Sequence, residues 1–434
     1  MGMSKANIPP ELLDRIFGHC ERYRRIPKFV PNSRLQPLLL VCKNWHGVAE
    51  RRLYFSVSLG NDRTVKGRNG EKREIKGKDI CRKFCETVKS NERVASLVRE
   101  LRLGCQDIQP EESELHIRII RNCKNVERVD IQGCDFSQLD DLKAALAERN
   151  LVSLSLSGAS LRLLTSQDHN EGRPMLALPE VLNLLPNWPR LELFTMVMCD
   201  PRRDNIYQQL ESPSDLNKNA CPALRRISVL ESNFFSTHLR FLAHIAPNLE
   251  DIAIFIGIDC GPVFKECLEV WSPSIKNLQI DMYEFLDPCP VPVGFLPPIS
   301  LPMVELCELR SLDTSAPLFT VNALIRLLNL EDLRFTRGTY ALCMELARLI
   351  EKGKMPCLQG VEMRGFEYEV HGPSAEEREE AKQRELEVGR EFRRVCKPRN
   401  IFFRDYSTPI KEIEEHYGYH RHDDIHSEAS DNDW

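Results

Sequence analysis

Residues 246–256 read APNLEDIAIFI. Leu249, Ile252 and Ile254 give the spacing apolar-x-x-apolar-x-apolar. Its last three positions alternate, which is the period of a strand buried on one face. Asn or Pro just ahead of it marks a turn into that strand. The same turn signal stands in CPALRRI and MPCLQGV. Towards the N-terminus the spacing recurs at Val98-Leu101-Leu103, Val126-Val129-Ile131, Leu151-Leu154-Leu156, Leu191-Phe194-Met196 and Leu224-Ile227-Val229. Towards the C-terminus it recurs at Ile275-Leu278-Ile280, Leu301-Val304-Leu306, Leu330-Leu333-Phe335 and Leu358-Val361-Met363. The intervals between first positions are 28, 25, 40, 33, 25, 26, 26, 29 and 28 residues. Leu301 is the weakest of the ten matches, since ISLPMVELCEL permits a second register.

Between the matches the apolar period lengthens to that of a helix. LDDLKAALAE (139–148), LRFLAHIAP (239–247), VFKECLEVW (263–271), VNALIRLLN (321–329) and MELARLIEK (344–352) each carry one apolar stripe. A strand–helix unit of this size cannot bury its own apolar face, so the units must stack on one another. The interval is similar to that of leucine-rich repeats. The resemblance implies an α/β repeat fold over 96–405, an irregular leucine-rich-repeat-like solenoid of strand–helix units. Residues between the buried strand positions would face its inner surface. Arg102, Arg128, Asp130, Arg226, Asp251, Glu305 and Arg334 are the candidates there for holding a target protein. The two long intervals hold polar, turn-rich insertions at 162–174 and 200–220, expected at the rim, and the Pro-rich 287–298 reads as a loop.

Ahead of the repeats come two short amphipathic segments. In IPPELLDRIFGHC (8–20), Pro9 and Pro10 suit a first helical turn, and Leu12, Ile16 and Cys20 step by four with Leu13 and Phe17 beside them. LLLVCKNWHGVAERRLY (38–54) reads as one helix, its stripe formed by Leu38, Val41, Cys42, Trp45, Val48, Ala49 and Leu53. So few residues cannot bury this much apolar surface among themselves. The two segments resemble the F-box motif. Its Leu/Ile-Pro-x-Glu-Leu opening matches Ile8, Pro9, Glu11 and Leu12, and its Val-Cys-x-x-Trp core matches Val41, Cys42 and Trp45. The resemblance spans 1–59 as a helical domain. It implies helix-in-groove docking on the Skp adaptor, and through it on a cullin–RING ubiquitin ligase, by Ile8, Pro9, Leu12, Ile16, Leu39, Val41, Cys42 and Trp45. The connection between the two halves, residues 18–37, is longer than usual for the family and rich in bases.

Residues 60–95 read as a basic linker and a leading helix. GNDRTVKGRNGEKREIKGKD (60–79) is Gly-rich, with seven bases and four acids, and is expected to be a flexible connection. SAEEREEAKQRELEVGREF (374–392) opens with the capping-box pair Ser374 and Glu377 and continues as a charged helix. Residues 406–434 read as an acidic, disordered tail carrying His416, His420, His422 and His426.

Composition narrows the function. The formal net charge of the 434 residues is −5. Residues 411–434 alone carry eight acids against two bases, so the remainder is close to neutral and lacks the basic footprint of a nucleic-acid binder. No apolar run reaches the length of a membrane span, and MGMSKANIPPE has no signal-peptide core. The 16 cysteines contain no C-x-x-C pair; Cys81 and Cys85 are a poor start for a zinc site. They read as reduced thiols of a cytoplasmic or nuclear protein. No G-x-S-x-G, H-E-x-x-H, dinucleotide-binding or kinase motif is present, and no cofactor is expected. The expected function is that of a non-catalytic substrate-recognition adaptor of an SCF-type ubiquitin ligase. Two other readings stand beside it: a repeat scaffold outside any ligase, and a small-molecule receptor or enzyme with a pocket on the inner face.

Overall fold

The computed structural model describes residues 8–20, 33–60, 62–66, 71–104, 109–158, 176–197, 210, 217–257, 260–282, 306–314, 319–338, 340–366 and 375–405. The chain divides into two compact units, Met1–Gln209 and Leu210–Trp434.

The first unit opens with helix α1 (Pro10–Cys20), a 3-10 segment (Ser33–Leu40) and helix α2 (Lys43–Phe55), which runs directly into strand β1 (Ser56–Leu59). A hairpin of β2 (Arg63–Lys66) and β3 (Lys72–Ile75) follows, paired antiparallel. Then come α3 (Gly77–Ser90), α4 (Glu92–Leu97), β4 (Glu100–Gly104), α5 (Pro110–Asn122), β5 (Arg128–Gln132), α6 (Leu139–Ala147), β6 (Ser153–Ser157), α7 (Leu178–Leu184) and β7 (Leu193–Val197). β1, β4, β5, β6 and β7 form a parallel sheet in that order.

The second unit holds β8 (Arg226–Phe234), α8 (Ser236–Ile245), β9 (Asp251–Ile256), α9 (Gly261–Trp271), β10 (Asn277–Met282), β11 (Ser311–Thr314) and α10 (Val321–Leu324). It continues with β12 (Asp332–Gly338), α11 (Tyr340–Glu351), β13 (Gly360–Phe366), α12 (Ala375–Cys396) and β14 (Phe402–Arg404). Its seven strands are also parallel and in chain order.

Strands added in chain order through right-handed crossovers carry all their helices on one face. The burial pattern agrees: β6 and β7 alternate half-exposed and buried residues along their length, and β9 does the same. Nine of the ten apolar triads read from the sequence are buried in full, none of their side chains more than 5% exposed. Each such side chain contributes on the order of 1.5–3 kcal/mol, so the triads are the main source of the fold's stability. A second regularity lies in the backbone. The carbonyl just ahead of one strand accepts two N–H groups from the chain entering the next: Arg99 from Glu127 and Arg128, Glu250 from Lys276 and Asn277, Arg310 from Glu331 and Asp332. This doubled bond fixes the register from one repeat to the next.

Two tryptophans tie neighbouring repeats. Trp188 and Trp271 are both completely buried, and their indole N–H groups donate to the carbonyls of Leu146 and Ala246, each at 3.0 Å. Those carbonyls stand at the C-terminal ends of α6 and α8, and the one at Leu146 also accepts the Arg149 N–H at 2.9 Å.

Several expectations are corrected. Residues 38–54 are not one helix. Leu38–Leu40 belong to the 3-10 segment, and α2 starts at Lys43 with Cys42 at its N-cap. Pro37 inside that segment cannot donate to an α-helical ladder, which favours the break. Residues 60–79 contain the β2–β3 hairpin instead of a flexible connection. The strand that pairs between β10 and β12 is Ser311–Thr314, with Leu309, Leu312 and Thr314 buried; of the expected triad Leu301 and Val304 lie outside the described residues and Leu306 is buried. The flanking intervals become 34 and 21 residues. VNALIRLLN is helical only over Val321–Leu324. β1 and β14 were not legible as repeats. The insertions at 162–174 and 287–298, most of 200–220, Glu305, Ser374 and 406–434 with its four histidines lie outside the described residues.

Candidate functional site

α1 carries two apolar faces. Leu13 and Phe17 point inward and form a small core with Leu35, Val48 and Ala49, against which Leu38, Leu39, Trp45 and Leu53 pack. Leu12 and Ile16, each one residue earlier, stay open at 49% and 47% exposure, with Ile8 continuing the stripe one turn before. A one-residue offset on a helix rotates a side chain by about 100°, which suffices to separate the two sets. The turn between the 3-10 segment and α2 exposes more apolar surface: Leu40 at 89% and Val41 at 54%. Isolated exposed apolar residues need no explanation, but a concentration of them marks a binding surface. Five of the eleven large hydrophobic residues exposed among the described ones lie between positions 8 and 41.

The helices presenting this surface are held by charge. Arg52 donates to both carboxylate oxygens of Asp14, Nε at 3.0 Å and Nη2 at 2.9 Å, and Arg51 adds a longer contact at 3.4 Å. Partial burial pushes the Asp14 carboxyl up, but the hydrogen bonds and charges of Arg52 and Arg51 outweigh it and hold the group below its ordinary value. His46 donates through Nδ1 to the Leu39 carbonyl at 3.0 Å and pins the 3-10 segment to α2. Midway along α2, the buried Glu50 is gripped by Arg93 of α4 with two hydrogen bonds, 2.5 and 2.7 Å. These bonds outweigh the upward push of burial and hold the Glu50 carboxyl low.

The eight residues matched to the docking motif therefore fall into two groups. Ile8, Pro9, Leu12, Ile16, Val41 and Cys42 are exposed. Leu39 and Trp45 are half-buried in the helical core, where Trp45 meets Phe17 edge-on with ring centroids 5.2 Å apart. Sequence reading missed Leu40, the most exposed of the set, and the Asp14–Arg52 clamp. The clamp is invisible in one dimension because 38 residues separate its partners.

The described candidates stand between the buried strand positions, in register rows. Arg128 pairs with Glu100 across β4 and β5 at 2.6 Å, and Arg102 stands beside Asp130 in the next row. Arg226 reaches Asp251 at 4.0 Å, and Asn277 donates to Asp251 from the following strand. Arg334 and Arg404 flank Glu362 from both sides, at 3.6 and 3.4 Å. Glu362 is buried, as are Asp313 and Thr314 nearby. The charges on this face are thus largely matched to one another.

Buried groups of a different kind lie between α3 and α5. Cys81, Glu112 and His116 place one ligand-type atom each within 4.8 Å of the others. Burial lowers the His116 imidazole to about 4 and pushes the Cys81 thiol up to about 12, with Glu112 adding to the latter shift. Sequence reading weighed Cys81 only with Cys85 and passed over the Glu-x-x-x-His spacing of 112–116. No disulfide joins the twelve cysteines whose side chains are described, nine of which are buried. None of the helices among the described residues is long and apolar enough to cross a membrane. No model of a known protein family matches the chain, and no curated protein sequence matches it.

Proposed function

We propose that the chain is the substrate-recognition subunit of an SCF-type cullin–RING ubiquitin ligase, with residues 8–55 an F-box that docks on the Skp adaptor. The strand–helix repeats form a leucine-rich-repeat-like solenoid that holds a target protein. The observation that carries this reading is the split of α1 into a buried face, Leu13 and Phe17, and an exposed apolar face, Leu12 and Ile16, with Ile8 exposed just ahead of the helix. Apolar anchors left in water on a preformed helix are what helix-in-groove recognition requires. A cap that served only the repeats would cover Leu12, which is half exposed.

The chain contributes no catalytic group to this role. Ubiquitin transfer takes place on other subunits, and the adaptor acts by holding the target close to them. Arg102, Arg128 and Asp130 in the first unit, and Arg226, Asp251 and Arg334 in the second, give each unit a strand face of mixed sign, which favours shape and hydrogen bonding over a single-sign field. A cytoplasmic or nuclear setting follows from this role. The test is binding of the purified full chain to purified Skp adaptor: saturable one-to-one binding is expected, and a well-folded chain that does not bind overturns the proposal.

A further inference from the structure

We propose that Cys81, Glu112 and His116 form a binding site for one zinc ion, clamping α3 to α5 at the start of the repeats. The three residues come from two helices. Glu112 and His116 are four apart on α5, and that spacing sets two side chains on one helical face. Cys81 faces them from α3 and is completely buried, as are the other two to within a few percent. Its Sγ lies 3.6 Å from His116 Nε2. Zinc bonds of about 2.3 Å to sulfur and 2.05 Å to nitrogen, opened to the tetrahedral angle, set those two atoms about 3.6 Å apart. The observed distance is that separation. The third atom lies within 4.8 Å of both, so the Glu112 carboxylate has at most about 1.4 Å to close.

Charge points the same way. A thiolate, a carboxylate and a neutral imidazole carry two negative charges, which a divalent cation cancels. A neutral assembly is the arrangement a buried site tolerates. Thiolate with imidazole selects zinc over magnesium or calcium, which take oxygen ligands. On binding, the Cys81 S–H proton leaves to solvent and a sulfur–zinc bond forms, with no change of oxidation state. Three protein ligands leave the fourth position for a water molecule.

The experiment uses the full chain, stripped with a chelator and titrated with cobalt(II) as a spectroscopic stand-in for zinc. One equivalent with tetrahedral visible bands and a thiolate-to-cobalt charge-transfer band is expected, both displaced by zinc. Cys81→Ser, which keeps size and a hydrogen-bonding atom, should weaken binding by more than about 100-fold, since ligand loss costs more than the 10- to 100-fold of an outer partner. Cys123→Ser, another buried thiol, should bind as the wild type does. Metal held by the histidines at 416–426 brings no thiolate band, and that spectrum overturns the proposal. So does a thiolate band that survives Cys81→Ser in a folded protein, or the absence of tight binding. If Cys81→Ser does not fold, X-ray absorption of the zinc-loaded wild type decides: one sulfur among nitrogen and oxygen neighbours supports the site, and a shell without sulfur sinks it.

Discussion

Replacing Leu12 and Leu13 separately by alanine divides docking from folding within two adjacent residues. Leu13 is 1% exposed, inside the core formed with Phe17, Leu35 and Val48. Its truncation removes buried methyl groups and leaves a cavity, at a cost of about 2–5 kcal/mol. Leu12 is 49% exposed, so only about half of its transfer energy is at stake, near 1 kcal/mol. Under the proposed role the order reverses on the Skp adaptor. An anchor buried by a partner costs at least about 2 kcal/mol when truncated, roughly 30-fold in affinity. Leu12→Ala should therefore keep its denaturation midpoint nearly unchanged and lose adaptor binding, and Ile16→Ala should follow it. Leu13→Ala should shift the midpoint strongly. Urea denaturation followed by circular dichroism gives the first axis, and calorimetric titration with the adaptor gives the second. The reasoning fails if folded Leu12→Ala and Ile16→Ala bind within about threefold of wild type, a difference under 1 kcal/mol. It fails equally if Leu12→Ala destabilises as much as Leu13→Ala, since that face would then be packed. Trp45 is a poorer probe than its motif position suggests, because its contact with Phe17 mixes the two effects.

Gly60 closes β1 at φ +147°, and a Cβ there would stand 2.4 Å from the Gly104 carbonyl oxygen. Gly60→Ala should cost on the order of 2–4 kcal/mol, read as a fall in thermal midpoint. Trp271→Phe should lose about 1 kcal/mol with the bond to Ala246, and Trp271→Ala about 3–5, so a Phe variant as unstable as the Ala variant would assign the cost to the hydrogen bond instead of the volume. Burial lowers the His238 imidazole to about 4, while the unfolded chain titrates near 6.5. Below 6.5 the unfolded state therefore binds the extra proton, and stability falls as pH drops from 6.5 to 4, by about 3 kcal/mol in all. The stability of wild type relative to His238→Gln should therefore fall by about 3 kcal/mol between pH 6.5 and 4, and parallel curves across that range would count against a neutral His238.

Much of the repeat architecture was legible because the period-two burial of each strand is written in Leu, Ile and Val. The misplacement near Leu301 shows where that signal is weak. ISLPMVELCEL offers apolar residues in both registers, whereas the strand that pairs with Asn277 and Asp332 begins at Ser311, beyond its end. The end strands escaped for a different reason. Ser56–Leu59 follows a helix without a turn signal, and Phe402–Arg404 is too short to show alternation. The split of α1 into two faces was half visible: the four-residue step of Leu12 and Ile16 was plain, but which of the two adjacent stripes stays in water depends on α2 and the 3-10 segment. The Asp14–Arg52 clamp and the Cys81–His116 contact join residues 38 and 35 apart, and periodicity carries no information about such pairs.

The position of the junction bears on the proposed role more than any single pair. A flexible connection at 60–79 would let the N-terminal helices swing freely relative to the repeats. The chain instead passes from α2 to β1 between Phe55 and Ser56, with no intervening residue. β1 then pairs with β4, and the Arg99 N–H donates to the Phe55 carbonyl at 3.0 Å. Glu50, midway along α2, is gripped by Arg93. The last turn of α2 is thus part of the first repeat, and the Asp14–Arg52 clamp passes that fixity on to α1. An adaptor that works by proximity gains from such stiffness, because a fixed offset between docking surface and target raises the effective concentration of the reacting groups. Glu50→Gln weakens the grip without creating a cavity, and it leaves every exposed docking residue in place. Under the proposed role it should spare adaptor binding while slowing ubiquitin transfer to a bound target. Unchanged transfer in that variant would mean that the hydrogen-bonded junction alone sets the offset.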